Sequence, residues 1–262
     1  MGNPASQNVR DISARLRACP LDELPALVAR YAEDPRSGVR QALAVACRRL
    51  DAHRVAVEHT DALYARQLEL AGDGIVVGID EVGRGAVAGP LTVAAVALPL
   101  EPKIVGIDDS KKLQPRRREE LAREVRRHAL AIGLAHIPPA DIDRDGMAAS
   151  LRRAMLAALE DTGVVPDVVL VDGNPMHLCA QELSVVHGDA SVASIAAASV
   201  VAKVARDARM VAADVHYPGY GFASSKGYGS AEHIDAIRRL GLTDFHRVTF
   251  CQGFVAEQGT LF

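Results

Sequence analysis

Gly78-Ile79-Asp80-Glu81-Val82-Gly83-Arg84-Gly85 is the stretch on which the reading of this chain turns. The small and apolar run Gly74-Ile75-Val76-Val77-Gly78 leads into it and predicts a buried strand. That strand delivers two adjacent acids to a glycine-arginine-glycine turn. Side-by-side carboxylates at the edge of an apolar segment repel each other and lose solvation, a cost that a divalent cation reverses. The pair alone reads more simply as a solvated strand end with a glycine turn, so its meaning depends on what the rest of the chain brings beside it. Neighbouring strand side chains also point to opposite faces. For Asp80 and Glu81 to serve one pocket, either the strand stops at Asp80 or Glu81 reaches round from the turn that Gly83 and Gly85 permit.

Downstream of Gly89-Pro90, the run Thr92–Leu98 predicts a second strand, antiparallel to the first across a tight turn. Asp108-Asp109-Ser110 is the expected cap of a helix over Pro115–Ala129. A strand over Ala131–Ile137 and a helix through Met147, Leu151, Met155 and Leu159 follow. Val168–Val171 is a buried strand ending in Asp172-Gly173-Asn174, and a short strand over Leu183–Val186 leads to His187-Gly188-Asp189. A long helix, rich in small residues at first, spans Ser191 to about Val215. A Gly/Tyr/Ser loop over Tyr217–Gly229 precedes a last helix over Ser230–Leu240. The fold class is therefore α/β, with a mixed central sheet flanked by helices over residues 73–250 and a tail from 251 to 262.

Residues 1–72 read as a small all-α N-terminal extension ending at Ala71-Gly72-Asp73-Gly74. Its longest helical pattern carries Leu43, Ala46, Cys47 and Leu50 on one face and Arg40, Arg48, Arg49, Arg54 and Arg66 on the other. With 262 residues and 49% apolar content the chain can bury one sizeable core. No apolar run is long enough to span a bilayer, and Met1–Gln7 lacks a signal segment. Four scattered cysteines argue against a zinc site or disulfide framework, so the expected location is the cytoplasm. The net charge of -3 is not that of a typical polyanion binder, yet Lys111-Lys112, Arg116-Arg117-Arg118 and Arg126-Arg127 crowd into one region.

Three predicted elements end in acids: Asp80-Glu81, Asp172 and Asp189. Asp189 precedes a helix and could equally cap it. Together the four acids offer only oxygen ligands, which suits magnesium or manganese and not zinc. Two such ions form a clamp for in-line attack on a phosphodiester.

At this point the residues resemble the ribonuclease HII family. Gly78–Gly85 with Gly89-Pro90 looks like its first signature, and Asp109-Ser110-Lys111-Lys112-Leu113 its second. Val171–Asn174, Gly188-Asp189, Ile195–Asp207, and Tyr217–Phe222 with Lys226–Gly229 resemble the later blocks, in order. The resemblance implies a ribonuclease H-like fold and a metal-dependent endonuclease acting on RNA paired with DNA. It carries over Asp80, Glu81, Asp172 and Asp189 as catalytic, metal-binding carboxylates holding Mn2+ or Mg2+. It implies cutting on the 5′ side of a ribonucleotide, including a single one in duplex DNA, with 3′-hydroxyl and 5′-phosphate ends. Gly83, Arg84 and Gly85 are expected to read the 2′-hydroxyl, and Tyr228, with Tyr220 as rival, to pack near the ribonucleotide. Ser110, Lys111, Lys112, Lys203 and Lys226 are expected to contact phosphates. His246-Arg247-Val248-Thr249-Phe250 matches the family only loosely and carries no role over.

The last residues, Gln258-Gly259-Thr260-Leu261-Phe262, resemble the peptide by which bacterial repair proteins dock on the DNA sliding clamp. Gln258, Leu261 and Phe262 are the expected contacts of an otherwise monomeric protein that binds no membrane. Three readings compete with a hybrid-cutting nuclease. Gly83-x-Gly85-x-x-x-Gly89 imitates a dinucleotide-binding turn, which must open a helix. A hybrid-binding module without catalysis, or another two-metal nuclease of the same fold, would share most of these features.

Overall fold

Residues 7–255 are described by the computed structural model, and the chain divides into two compact units between Asp61 and Ala62. The first is helical. Helix α1 (Val9–Ala18) is capped by Asn8, whose side-chain oxygen accepts from Arg10 N at 3.1 Å. Helix α2 (Leu24–Tyr31) has proline in its first turn, and α3 (Ser37–Ala71) begins in this unit and ends in the second. Ile12, Leu16, Leu24, Tyr31, Val39, Leu43 and Ala46 close one core. Arg49 is not merely part of a solvated face. Its guanidinium donates to the Leu16 and Cys19 carbonyls at 2.7 and 3.1 Å, satisfying the open C-terminal end of α1.

The second unit is built on strands β1 (Val76–Val82), β2 (Leu91–Ala97), β3 (Ala131–Ile137), β4 (Val168–Asp172) and β5 (Glu182–Val185). Their order in the sheet is β3-β2-β1-β4-β5. β1 runs antiparallel to β2 and parallel to β4; β3 is antiparallel to β2 and β5 parallel to β4. This is the expected mixed sheet. Helices α4 (Pro115–His128), α5 (Pro139–Asp145), α6 (Met147–Asp161), α7 (Ala193–His216), α8 (Phe222–Ser225), α9 (Ala231–Leu240) and α10 (Val248–Val255) complete the unit. One sheet face packs Ala94 and Val96 against Leu121 and Val125 of α4 and the alanines of α7. The other packs Ile79, Val93 and Val171 against Ile142 of α5 and Leu151 and Met155 of α6. Burial on both faces is why β1 reads as a continuous apolar run.

Small residues explain how closely α7 lies on β1. A Cβ at Gly78 would fall 2.3 Å from the Ser194 carbonyl carbon and 2.4 Å from Ile195 N. The helix meets the strand with Ala193, Ala196, Ala197 and Ala198, all fully buried. The end of α3 serves this same core: Leu63 and Tyr64 are buried in it, and Gln67 accepts from Ser194 N at 2.8 Å. That bond satisfies one of the open amides at the start of α7.

Three local expectations are corrected and one rival reading is excluded. β1 does not stop at Asp80 but pairs through Val82, and the connection to β2 is the loop 83–90, not a tight turn. α4 is entered from Gln114; Asp109 instead accepts from Lys111 N at 2.9 Å in a turn of its own. The helix over Ala231–Leu240 is not the last, because α10 follows and buries Cys251, so residues 251–255 are helix. The loop 83–90 opens a strand, which excludes the dinucleotide-binding reading. No helix of the described residues is long and apolar enough to cross a membrane.

Candidate active site

Register decides where the acids go. Asp80 lies opposite Ala94, which faces α7, and Glu81 opposite Val93, which faces α6. The two side chains therefore leave the sheet on opposite faces, as strand geometry requires. β4 runs beside β1 with Ile79 level with Val171, so Asp172 ends its strand level with Asp80. Leu170 packs with Ile195 of α7, which places Asp172, two residues on, towards α7 as well. Asp189 sits in the 3-10 turn Gly188–Ala190 just before α7. It does not cap that helix: the N-cap is Val192, without a side-chain bond.

Backbone and charge knit these acids together. Asp172 Oδ1 accepts from Gly188 N at 2.7 Å, and a Cβ at Gly188 would fall 2.5 Å from the Ile195 side chain. Lys111 Nζ lies 3.3 Å from Asp189 Oδ2 and 3.9 Å from Asp109 Oδ1. Glu81 stands 3.8 Å from the Arg84 guanidinium. Asp80 is 4% exposed; burial, then the charge of Glu81, pushes its carboxyl up to about 8, against a hydrogen bond from Ser199. Burial also raises Glu81, where Arg84 and Lys111 oppose the Asp172 charge, and it raises Asp172 together with Asp189. Glu81 thus feels the charges of Asp172 and Lys111 although it leaves the sheet on the opposite face. Against the cost of partial burial, Asp109, Asp189 and Asp80 raise Lys111.

These four acids offer oxygen donors only, and Asp80 is held as a neutral acid at pH 7 by its surroundings. Such a set fits a hard divalent cation, which would return Asp80 to its ionised form. Among the described residues no three His, Cys, Asp or Glu side chains already stand at ligand spacing.

The other expected residues sort themselves by exposure. Ser110 is 1% exposed and bonds the Ser199 hydroxyl at 2.9 Å, so it braces the Asp80 surroundings from inside. Lys203 pairs with Asp207 at 2.8 Å and Lys112 with Asp108 at 3.2 Å. Lys226 has a left-handed backbone and its ammonium donates to the Ala223 carbonyl. Lys111 keeps the most exposed side chain of the five expected phosphate contacts. Tyr220 is buried, stacks on Phe222 and donates to the Gly241 carbonyl at 2.8 Å; Tyr228 is 38% exposed. Of the two rival tyrosines, Tyr228 is the exposed one. Gln258, Leu261 and Phe262 lie outside the described residues.

Two residues escaped the sequence reading. Arg206 and Arg247 are both fully buried. Arg247 donates to the Gly89 carbonyl at 2.9 and 3.1 Å and to the Arg84 carbonyl at 3.0 Å, holding the two ends of the loop. Arg206 donates to the carbonyls of Ala88, Pro90 and Lys226. The signal available was weak: an arginine four residues beyond the small, apolar run Ala196–Ala202.

The sequence family described as Ribonuclease HII matches residues 77–253, and that described as Ribonuclease HII N-terminal domain matches residues 8–69. The chain belongs to the ribonuclease HII family. It is accordingly an enzyme, a ribonuclease H-type endonuclease. Ribonuclease HII of Moorella thermoacetica is 46% identical over 196 residues, 74% of this chain and 95% of that protein. Ribonuclease HII of Bacillus subtilis is 36% identical over 92% of this chain and 95% of its own. Among solved structures, ribonuclease H2 of Pyrococcus horikoshii superposes with a TM-score of 0.61 at 23% identity, covering 71% of this chain and 99% of that one. Bst-RNase HIII in complex with Mn2+ gives a TM-score of 0.60 at 18% identity, covering 76% and 74%. The ribonuclease HII in a PCNA complex from Archaeoglobus fulgidus gives 0.57 at 24%, covering 66% and 93%. These likenesses show the ribonuclease H-like fold.

Proposed function

We propose that this ribonuclease HII cuts RNA in RNA–DNA hybrids and on the 5′ side of single ribonucleotides in duplex DNA, leaving 3′-hydroxyl and 5′-phosphate ends. One observation carries the proposal: the acids at the ends of β1 and β4 open directly onto a glycine loop held against an exposed tyrosine. Asp80, Glu81, Asp172 and Asp189 would hold Mn2+ or Mg2+, as the oxygen-only donor set and the manganese bound to the HIII neighbour support. Bound there, divalent cations supply the charge stabilisation that phosphodiester hydrolysis needs.

The chain's own residues do the selecting. A 2′-hydroxyl is the handle that separates ribose from deoxyribose, and the backbone of Gly83, Arg84 and Gly85 can approach a sugar where side chains would stand it off. The Tyr228 ring offers a face for the ribonucleotide and its neighbour. Lys111, exposed yet already among the acids, can meet a phosphate oxygen beside the cut; Lys112, Lys203 and Lys226 would add longer-range attraction.

The test is a DNA duplex with one ribonucleotide, incubated with Mn2+, Mg2+ or chelator. A single metal-dependent cut 5′ to the ribonucleotide is expected; equal cutting of an all-DNA duplex would sink the specificity. That result would leave the second reading, another two-metal nuclease of the same fold.

We also propose that the enzyme acts as a cytoplasmic monomer and that Gln258, Leu261 and Phe262 dock on the DNA sliding clamp. The clamp peptide likeness motivates this, and the Archaeoglobus relative is known in complex with PCNA. Deleting residues 258–262 should leave cutting of a short duplex unchanged and abolish clamp binding by surface plasmon resonance. Unchanged clamp affinity would end the idea.

A further inference from the structure

The loop 83–90 and the loop that carries Tyr228 are joined along their backbones. The amides of Val87 and Ala88 both donate to the Gly227 carbonyl, at 2.9 and 3.0 Å. Gly227 has φ 77°, and a Cβ there would fall 2.3 Å from the Ala88 carbonyl oxygen. Behind this seam lies Arg206, 0% exposed, with no carboxylate in ion-pair range among the described residues. A buried cation without an ion pair is costly unless its donors meet acceptors, and Asp207 acts on Arg206 only from beyond ion-pair range. Here the planar fork spends itself on carbonyls of both loops: Pro90 at 2.9 Å and Ala88 at 3.1 Å on one side, Lys226 at 2.8 Å on the other. Arg247, by contrast, bonds the loop 83–90 alone.

The same guanidinium fills the space between the two expected sugar contacts. A Cβ on Gly83 would fall 2.1 Å from Arg206 Nε, so only glycine lets the turn lie against it. The Tyr228 ring centroid is 5.4 Å from Arg206 Cζ. We infer that Arg206 is a positioning residue: it fixes the separation between the Gly83-Arg84-Gly85 turn and the Tyr228 ring, and through that gap the fit of a ribonucleotide. The inference rests on the ribonucleotide-cutting reading above. Lysine would keep the charge but could not bridge both loops with one planar fork.

A double-mutant cycle tests it, using Tyr228→Ala and Arg206→Lys and kcat/KM on the single-ribonucleotide duplex. Tyr228→Ala should cost about tenfold in the parent enzyme and less than about threefold once Arg206→Lys has already moved the ring. A merely structural arginine would lower the melting temperature and leave the two Tyr228→Ala losses equal, which overturns the inference while the ribonucleotide reading stands. If Tyr228→Ala costs nothing in the parent enzyme, the inference falls, while the ribonucleotide reading still stands or falls on the single cut of the ribonucleotide duplex. Should Arg206→Lys fail to fold by circular dichroism, Gly83→Ala, which pushes on the same guanidinium from the turn, takes its place in the cycle. Equal losses in that background overturn the inference in the same way.

Discussion

Replacing Asp80 by asparagine should stabilise the metal-free protein while destroying the enzyme. The carboxyl is 4% exposed, and burial followed by the Glu81 charge moves it from an ordinary 3.8 to about 8. An acid whose folded value lies above its unfolded value opposes folding: the opposition begins as pH rises past the unfolded value and is complete near the folded one. Over the interval from 3.8 to pH 7, at about 1.4 kcal/mol per pH unit, the cost reaches about 4 kcal/mol. Relaxation and water entering the cleft reduce it, so a gain of about 2 kcal/mol is expected for Asp80→Asn at pH 7. Asparagine keeps the shape and can still accept from Glu81 N, which Asp80 Oδ1 now does at 2.7 Å. The assay is urea unfolding in chelator at several pH values between 5 and 8.5. The parent protein should lose ground to the variant as pH rises. Added Mn2+ should then stabilise the parent and not the variant, by mass action on the folded state. A variant no more stable than its parent in chelator at pH 7 would refute the electrostatic reasoning. Undiminished cutting of the single-ribonucleotide duplex would refute the catalytic assignment.

Two further outcomes follow from elements away from the acids. His233 Nδ1 meets the Tyr228 carbonyl at 2.8 Å, which requires a proton on that nitrogen; His246 then donates through Nε2, at 3.2 Å, to His233. His246 Nδ1 accepts from Thr243 N at 3.0 Å, so neither ring has room for a second proton. Burial, with His233 beside it, lowers His246 to about 4. A lowered histidine stabilises the fold above its unfolded value and loses that contribution as pH falls through the folded one. Between pH 7 and 4.5 the parent should lose about 2 kcal/mol more than His246→Gln in denaturant titrations, and parallel curves would contradict the assigned protons. Gly133→Ala should destabilise by about 3 kcal/mol or more, because the new Cβ would fall 1.9 Å from the Ala158 carbonyl oxygen where β3 meets α6. Its kcat, measured well below its melting temperature, should be unchanged.

The sequence by itself determined the elements that carry the chemistry: an apolar strand ending in Asp80-Glu81, another ending in Asp172, and Asp189 before a small-residue helix. Strand periodicity and turn residues are local, so they survive without a structure. Tertiary structure decided which of these meet. Asp80 and Asp172 become neighbours because β4 pairs in parallel beside β1, across a helix-rich crossover that no local pattern reveals. It also decided which polar residues are buried. Ser110, expected at a phosphate, and Tyr220, the rival of Tyr228, are both buried. Helix α10 escaped the sequence reading because its N-terminus is satisfied from afar, by Asp143, which accepts from Val248 N at 2.7 Å and Thr249 N at 3.1 Å. Arg206 and Arg247 are the clearest case. In sequence they are two more arginines among many, and only the folded loops supply the carbonyls that let a cation stay buried without an ion pair.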